Sequence, residues 1–368
     1  MVFVMRQTHM RKPIIETQDP SLQQPTTREE GMADDILRVT GLRTYLPLDE
    51  GILKAVDGVD LVVAKRSTVG LIGESGCGKT MLAHSILRIV PSPGRIRGGE
   101  ILLDQGDGQW LDIAQLDATG QPMREIRGKM ISMIFQEPMT SLSPVHTIGS
   151  QIIEAILLHV TRNKKEAREL ALDMVARVGI ANPTQRFDEY PHQLSGGMRQ
   201  RAMIAMALSC NPQLLIADEP TTALDVTVQA QILDLMRSLQ QQFGMAILYI
   251  THDLGVIAEI AEETNVMYLG RIVEHGPTVA LFDNPLHPYT RLLLKSIPQV
   301  GRKTRKRLEA IEGNVPVPLN PPRRCGFFDR CPEAMVGTCD RAVPALVSIG
   351  DQKVRCFLWS DQKEPEDV

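Results

Sequence analysis

The chain has 368 residues, of which 43% are hydrophobic, and it carries a formal net charge of −4. This length fits roughly two domains with a buried core. The slight negative charge gives no support to nucleic acid as a partner, and no apolar run predicts a membrane span or a signal peptide. We therefore expect a cytoplasmic setting, in which the six cysteines favour metal ligation or redox chemistry over disulfides.

The order of elements follows from the alternation of polar and apolar segments. Residues 1–33 are polar and without sustained periodicity, which predicts a disordered extension, with Met32 as an alternative start. From Ile36 onward, helical patterns alternate with short apolar runs such as STVGLIG, ISMIF, LLIAD, AILYIT and NVMYLG. This alternation predicts an α/β core over residues 34–275 with a largely parallel sheet.

Two segments differ from this core. Residues 137–212, between ISMIF and LLIAD, are dominated by helical patterning, which predicts a helical subdomain inserted into the core. After Gly276 the chain becomes richer in proline and basic residues and ends with four cysteines. This change predicts a C-terminal extension over residues 276–368, in which the basic run RKTRKR is interpreted as a solvated face.

The segment GESGCGKT fits the phosphate-loop pattern and lies between the strand STVGLIG and a helix. Its glycines let backbone N–H groups turn toward a phosphate, and the helix N-terminus adds partial positive charge. We expect Lys79 to contact the β- and γ-phosphates of a nucleotide and the Thr80 hydroxyl to ligate Mg²⁺. The thiol of Cys77 is interpreted as structural. The predicted nucleotide-binding residues of this loop are Gly73, Glu74, Ser75, Gly76, Cys77, Gly78, Lys79 and Thr80.

The segment LLIADEP is a buried strand that ends in two carboxylates. Its apolar run places both acids where the strand emerges at the edge of the sheet. Asp218 fits the carboxylate on the Mg²⁺ side of a bound nucleotide, and Glu219 fits a general base for the water that attacks the γ-phosphate. Two acids at a strand end are often merely solvated, so this interpretation depends on the phosphate loop upstream.

The segment LSGGMRQR has the glycines and the serine N-cap of an anion-binding helix start, although alone it would be an ordinary helix N-terminus. Together, GESGCGKT, LSGGM and LLIADEP, in this order, resemble the ATP-binding subunit of an ABC transporter over residues 36–275. The resemblance implies a P-loop NTPase fold of the ABC type, with its inserted helical subdomain, and it implies ATP hydrolysis.

The resemblance also assigns roles to single residues. It implies that Gln136 in IFQEP senses Mg²⁺ and the attacking water, and that His252 in YITHD contacts the γ-phosphate and orients the catalytic carboxylate. Tyr45 either stacks on adenine or simply packs in its strand. Because two cassettes of this family meet head to tail, four residues would act across the subunit interface: Ser195, Gly196, Gly197 and Asp225.

The C-terminal region narrows the resemblance, because HPYTRLLLKSIP and YPHQLSGGM are similar to the ATPase subunits of oligopeptide and dipeptide importers. This implies four partners: a second, related ATP-binding subunit, two transmembrane permeases and, indirectly, an extracytoplasmic substrate-binding protein. It also implies a peripheral location at the cytoplasmic face of the cell membrane, with residues 137–149 forming part of the groove for a permease helix. Peptide is the implied cargo, and oligosaccharide, opine and nickel stay open.

A soluble ABC-type ATPase of iron–sulfur assembly, translation or DNA repair is the alternative from another class. Translation factors of this superfamily usually carry two cassettes, whereas this chain has one phosphate loop. Repair ATPases insert long coiled coils, and the sequence has no such pattern. Transport is therefore favoured.

Four cysteines near the C-terminus form a candidate metal site: Cys325, Cys331, Cys339 and Cys356. Their spacing lacks the C-x₂-C pairs of most structural zinc sites and matches neither common ferredoxin pattern, so the residues alone leave the metal open. The resemblance to peptide-importer ATPases implies a [4Fe–4S] cluster, with zinc as the alternative and unligated thiols as a third reading.

Overall fold

The computed structural model describes residues 34–106, 108–136, 141–222, 224–296 and 311–364. The predicted N-terminal extension, the basic run RKTRKR and the first four residues of segment 137–149 lie outside these ranges. The described residues belong to one compact unit, Asp34–Val368. None of the helices that they form is long and apolar enough to cross a membrane.

The strands of the described residues are β1 Asp35–Leu48, β2 Gly51–Ala64, β3 Thr68–Ile72, β4 Arg95–Asp104, β5 Trp110–Asp112, β6 Ile131–Ile134, β7 Leu214–Asp218, β8 Ala246–Thr251, β9 Glu263–Tyr268, β10 Arg271–Pro277, β11 Val347–Ile349 and β12 Gln352–Val354. They form an antiparallel sheet of order β2-β1-β4-β5 and an eight-stranded sheet of order β11-β12-β10-β9-β3-β8-β7-β6.

The centre of the larger sheet is parallel, as the sequence predicts, since β3 pairs in parallel with β8 and β9, and β7 pairs in parallel with β8 and β6. Every residue of β3, β7 and β8 is buried, because their apolar runs are covered on both faces. The register places Ile72 beside Thr251 and Asp218 beside Ile250. The three strands therefore end at one edge of the sheet.

The helices of the described residues are α1 Lys79–Ile86, α2 Gln121–Ile126, α3 Ile148–His159, α4 Lys164–Arg177, α5 Pro183–Phe187, α6 Gly196–Leu208, α7 Val226–Phe243, α8 Leu254–Ile260, α9 Thr278–Asp283 and α10 Pro288–Lys295. Helices α3 to α6 lie between β6 and β7, where the sequence predicts a helical insertion. Helix α4 buries Ala167, Ala171, Met174 and Val175, the spacing of one apolar helix face. The exact bounds of this subdomain stay a prediction.

The C-terminal region packs directly on the core. Strand β12 pairs with β10, and the buried Glu274 of β10 accepts hydrogen bonds from the backbone N–H groups of Leu286 at 2.6 Å and His287 at 2.9 Å. The ring of Phe327 lies 5.2 Å from that of Tyr268 on β9 and 5.3 Å from that of Tyr289 on α10. These aromatic contacts join the C-terminal region to β9, which pairs with β3.

Candidate nucleotide-binding site

The phosphate loop connects β3 to α1, as predicted. Gly73, Gly76 and Gly78 all have positive φ angles, of 153°, 81° and 109°. A Cβ atom at Gly73 would lie 2.3 Å from the carbonyl oxygen of Met267, and one at Gly78 would lie 2.2 Å from that of Ala55. Only glycine therefore fits these two positions, which explains why the loop can pack so closely on β9 and β2.

The side chain of Lys79 lies inside this loop. It is 5% exposed, and its Nζ donates hydrogen bonds to the carbonyl oxygens of Gly73 at 2.7 Å and Glu74 at 3.0 Å. The loop thus surrounds a fixed positive charge at the N-terminus of α1, where a helix already favours anions.

Asp218 ends β7 beside the loop and is 1% exposed. Burial raises its pKa, while a hydrogen bond from Thr80 opposes the rise. Its Oδ1 atom is buried without a hydrogen-bond partner among the described residues. A buried carboxylate oxygen without a partner, next to a threonine hydroxyl, fits Mg²⁺, which prefers oxygen ligands. These residues therefore suit the metal of a bound nucleotide.

Glu219 is held by hydrogen bonds from three different segments. Its Oε1 accepts from Nδ1 of His252 at 3.1 Å, and its Oε2 accepts from Nε2 of Gln136 at 3.2 Å and from the Thr222 hydroxyl at 2.9 Å. Burial alone would raise its pKa, but the hydrogen bonds from His252 and Thr222, together with electrostatic attraction to His252 and Lys79, lower it. Glu219 is therefore ionised at neutral pH and able to accept a proton.

The structure thus brings Gln136, Glu219 and His252 together, and their catalytic roles stay predictions. It adds Thr222, which sequence reasoning missed. The sequence feature that could have indicated Thr222 is its position three residues after Glu219, because this spacing allows a local hydrogen bond.

Glu74 of the loop is held by two residues of the C-terminal region. Its backbone N–H donates to the hydroxyl of Tyr289 at 2.8 Å. Its carboxylate forms a two-pronged ion pair with Arg330, at 2.7 Å and 2.9 Å. Such bidentate pairs fix both position and direction. No local pattern predicts either contact, because 215 and 256 residues separate the partners.

Two adjoining cavities, of about 310 and about 700 Å³, open at the loop and share Ser75, Gln136, Glu219 and Val315 in their linings. His252 lines the larger cavity. The smaller cavity is lined by Gln136 and Glu219 and by five residues of the phosphate loop: Ser75, Gly76, Gly78, Lys79 and Thr80. Its other lining residues are apolar: Leu53, Ala55, Met81, Val315, Pro316, Val317 and Pro318.

Seven residues predicted for the nucleotide site line neither cavity: Tyr45, Cys77, Ser195, Gly196, Gly197, Asp218 and Asp225. Ser195 and Asp225 are N-caps, accepting from the backbone N–H groups of Met198 at 3.4 Å and Val228 at 3.0 Å. The hydroxyl of Tyr45 donates to Asp57. Their roles toward a nucleotide therefore stay predictions.

The four C-terminal cysteines are free thiols. The backbone N–H of Cys325 donates to the carbonyl oxygen of Cys339 at 3.0 Å. The pKa of Cys356 is raised to about 12, mainly by burial and to a smaller extent by the three other thiols nearby. Within the described ranges, no group of three or more His, Cys, Asp or Glu side chains is spaced to hold a metal ion. The predicted cluster and its zinc alternative are therefore both without support from this geometry.

Comparison with known proteins extends over nearly the whole described chain. Residues 56–222 match the family described as ABC transporter, and residues 273–339 match the oligopeptide/dipeptide transporter C-terminal region. The oligopeptide transport ATP-binding protein AppD of Bacillus subtilis is 49% identical over 328 residues, which are 89% of this chain and 98% of AppD. The dipeptide transport ATP-binding protein DppD of the same organism is 43% identical over 90% of this chain and 97% of its own length.

Solved structures agree with this result. The dimeric structure of the bacterial ABC transporter cassette MJ0796 matches with a TM-score of 0.57 and 25% identity, over 66% of this chain and 99% of that one. A post-hydrolysis dimer of MJ0796 with ADP and Pi matches equally well. The chain therefore belongs to the ABC transporter ATP-binding family, in its oligopeptide/dipeptide transporter branch. This family consists of ATPases, so the predicted α/β fold of the ABC cassette and the enzyme class are confirmed.

The contact between Tyr289 and the phosphate loop predicts a loss of stability in Tyr289→Phe. Without the hydroxyl, the backbone N–H of Glu74 loses its acceptor, and the free energy of unfolding should fall by about 1 kcal/mol in urea titrations. Tyr268→Phe is the control, because the hydroxyl of Tyr268 accepts a longer hydrogen bond, of 3.4 Å, from Arg330. Equal losses in the two variants would contradict the importance of the Tyr289 contact.

Proposed function

We propose that this chain is the ATP-hydrolysing subunit of an ABC transporter that imports peptides. The observation that carries the proposal is the position of Glu219, an ionised carboxylate held by Gln136, Thr222 and His252 beside the phosphate loop. The match to the oligopeptide/dipeptide C-terminal region and the names of the relatives AppD and DppD support peptide as the cargo.

The residues around the cavity suggest a division of work. The backbone of the phosphate loop and the ammonium group of Lys79 bind the β- and γ-phosphates of ATP. Thr80 and Asp218 would hold Mg²⁺, with Gln136 near it, and the bound ion would supply positive charge to the phosphates. Glu219 orients the attacking water and accepts its proton, while His252 keeps the carboxylate in place.

We further propose that the cassette works head to tail with a second, related ATP-binding subunit. Ser195 and Gly196 are exposed at the N-terminus of α6, and nothing within 4 Å would meet a side chain at Gly196. With Gly197 they form a surface that could contact the γ-phosphate bound by a partner, and Asp225 begins a helix with an exposed neighbour, Val226. The dimeric structures of MJ0796 support such pairing.

Membership of this family also suggests the rest of the assembly. We propose two transmembrane permeases as partners, an extracytoplasmic substrate-binding protein as an indirect partner, and a peripheral position at the cytoplasmic face of the membrane. Residues 141–149, the described part of the predicted groove, include an exposed Val145 that offers apolar surface to a permease helix.

We also propose that the four C-terminal thiols ligate a [4Fe–4S] cluster. The support is the backbone hydrogen bond from Cys325 to Cys339 and the effect of three thiols on the pKa of Cys356, although the described side chains are not spaced to hold a metal ion. A single Zn²⁺ needs all four sulfurs about 2.3 Å from one point. A cluster accepts a wider arrangement, because each thiolate binds a different iron atom. The cluster would cross-link a region with few apolar residues.

The role of Glu219 is tested by Glu219→Gln. Hydrolysis should fall by about a hundredfold or more, because the amide accepts no proton, while ATP affinity should stay because Lys79 is unchanged. Glu259→Gln, the same change on the surface of α8, should leave the hydrolysis rate and the ATP affinity unchanged. Steady-state hydrolysis and equilibrium binding of ATP measure the two effects, and wild-type turnover in Glu219→Gln would rule out the assignment.

The head-to-tail arrangement is tested in the complex with the partner subunit. When Glu219→Gln silences the site of this chain, the hydrolysis that remains belongs to the site of the partner. Adding Ser195→Ala should abolish that remainder, because the hydroxyl is donated across the interface. Asn163→Ala removes a comparable N-cap, at α4, and should leave the hydrolysis at the partner's site intact. Remaining hydrolysis that survives Ser195→Ala would contradict the arrangement.

The cluster is tested by metal analysis of protein purified without oxygen. We expect about four iron and four sulfide per chain, and a brown colour. Cys331→Ser should remove both elements, whereas Cys210→Ser, which changes a partly buried cysteine just after α6, should retain them. Iron-free wild-type protein, or stoichiometric zinc, would show that the cluster assignment is wrong.

A further inference from the structure

The C-terminal region supplies one side of the candidate nucleotide cavity. Residues 315–318, here called the tail wall, line the smaller cavity together with the phosphate loop. The tail wall reads Val-Pro-Val-Pro, so its side chains carry neither charge nor hydrogen-bonding groups. The cavity therefore has a charged end at Lys79 and an apolar side that comes from more than 230 residues further along the chain.

Backbone hydrogen bonds fix the tail wall to the core at its C-terminal end. The N–H of Lys54 donates to the carbonyl oxygen of Pro318 at 3.0 Å, and the N–H of Asn320 donates to that of Ile52 at 2.9 Å. The side chain of Asn320 in turn accepts from the N–H of Ile52 at 2.9 Å. The tail wall thus leads into an added edge segment beside the start of β2.

Arg330 holds the segment just before the N-terminal end of the tail wall. Its Nε donates to the carbonyl oxygen of Glu312 at 3.0 Å, and its Nη2 donates to that of Gly313 at 3.1 Å. The same guanidinium binds the carboxylate of Glu74 in the phosphate loop. Because one planar group holds both the loop and the segment before the tail wall, the two sides of the cavity keep a fixed separation.

The chemistry of a nucleotide matches a cavity that has a charged phosphate loop and an apolar tail wall. The triphosphate requires the charged loop, whereas the two faces of the base are flat and largely apolar and need a matching apolar wall. Tyr45, the residue that the sequence offers for stacking, does not line this cavity, and its hydroxyl is engaged by Asp57. The tail wall supplies an apolar surface in the same cavity as the phosphate loop.

We propose that the tail wall binds the base and ribose of the nucleotide, so that the C-terminal region is part of the ATP site. This inference rests on the proposed ATPase function. It assigns the C-terminal region a direct contact with substrate, in addition to its packing on the core. Since the wall offers no hydrogen-bonding side chain, it favours purine nucleotides by contact area and not by reading the base.

The test compares a whole nucleotide with its phosphates alone. Val317 is 72% exposed and lines the cavity, so Val317→Asn changes the wall without disturbing the fold and adds no charge near the phosphates. Val336, 84% exposed in the same region, lines neither cavity at the loop and provides the matched control, Val336→Asn. The probes are the non-hydrolysable analogue AMP-PNP and inorganic tripolyphosphate, titrated calorimetrically into the full chain with Mg²⁺.

We expect Val317→Asn to lower the affinity for AMP-PNP about fivefold, because the nucleotide reaches the tail wall. The affinity for tripolyphosphate should stay within about twofold of the wild-type value, because the phosphates do not reach the wall. Val336→Asn should change neither affinity. An unchanged AMP-PNP affinity in Val317→Asn, or equal losses for the two probes, would overturn the inference. A wild-type chain that binds neither probe would overturn the ATPase proposal itself, and the inference with it.

Discussion

Parallel pairing of β3, β8 and β7 is the constraint on which the site depends. Neighbouring parallel strands in register must end at the same edge of the sheet, so whatever follows them in sequence becomes adjacent in space. The phosphate loop follows β3, Glu219 follows β7 and His252 follows β8. Burial of these strands on both faces fixes that register, and the arrangement of the reacting groups is therefore a product of the core.

The geometry at Glu219 shows how the core supports chemistry. Its φ angle of 48° is in the left-handed region, which costs a non-glycine residue of order 1 kcal/mol or more. The backbone N–H of Glu219 donates to the carbonyl oxygen of Ile250 at 2.8 Å, and side-chain hydrogen bonds fix the carboxylate. The strained turn is therefore held in one conformation, and the carboxylate is oriented before any substrate arrives.

Much of this fold and site could be predicted from sequence, because the signals are local. The phosphate loop, the acids after LLIAD and the histidine after AILYIT are each defined by fewer than ten consecutive residues, and burial of the preceding strands follows from their apolar runs. Thr222, Tyr289, Arg330 and the tail wall were missed. The last three depend on pairings between segments more than 200 residues apart, which no periodicity or spacing reveals. Thr222 was missed because a threonine after an acid is too common to be specific.

The ion pair between Arg330 and Glu74 has a consequence for synthesis of the protein. A ribosome delivers Glu74 256 residues before its partner, and domains begin to fold while they emerge. The nascent sheet can therefore form around β3, β7 and β8 while the phosphate loop still lacks the groups that hold Glu74. Contacts of such long sequence separation form slowly, so the phosphate loop can gain this ion pair only after Arg330 has been synthesised.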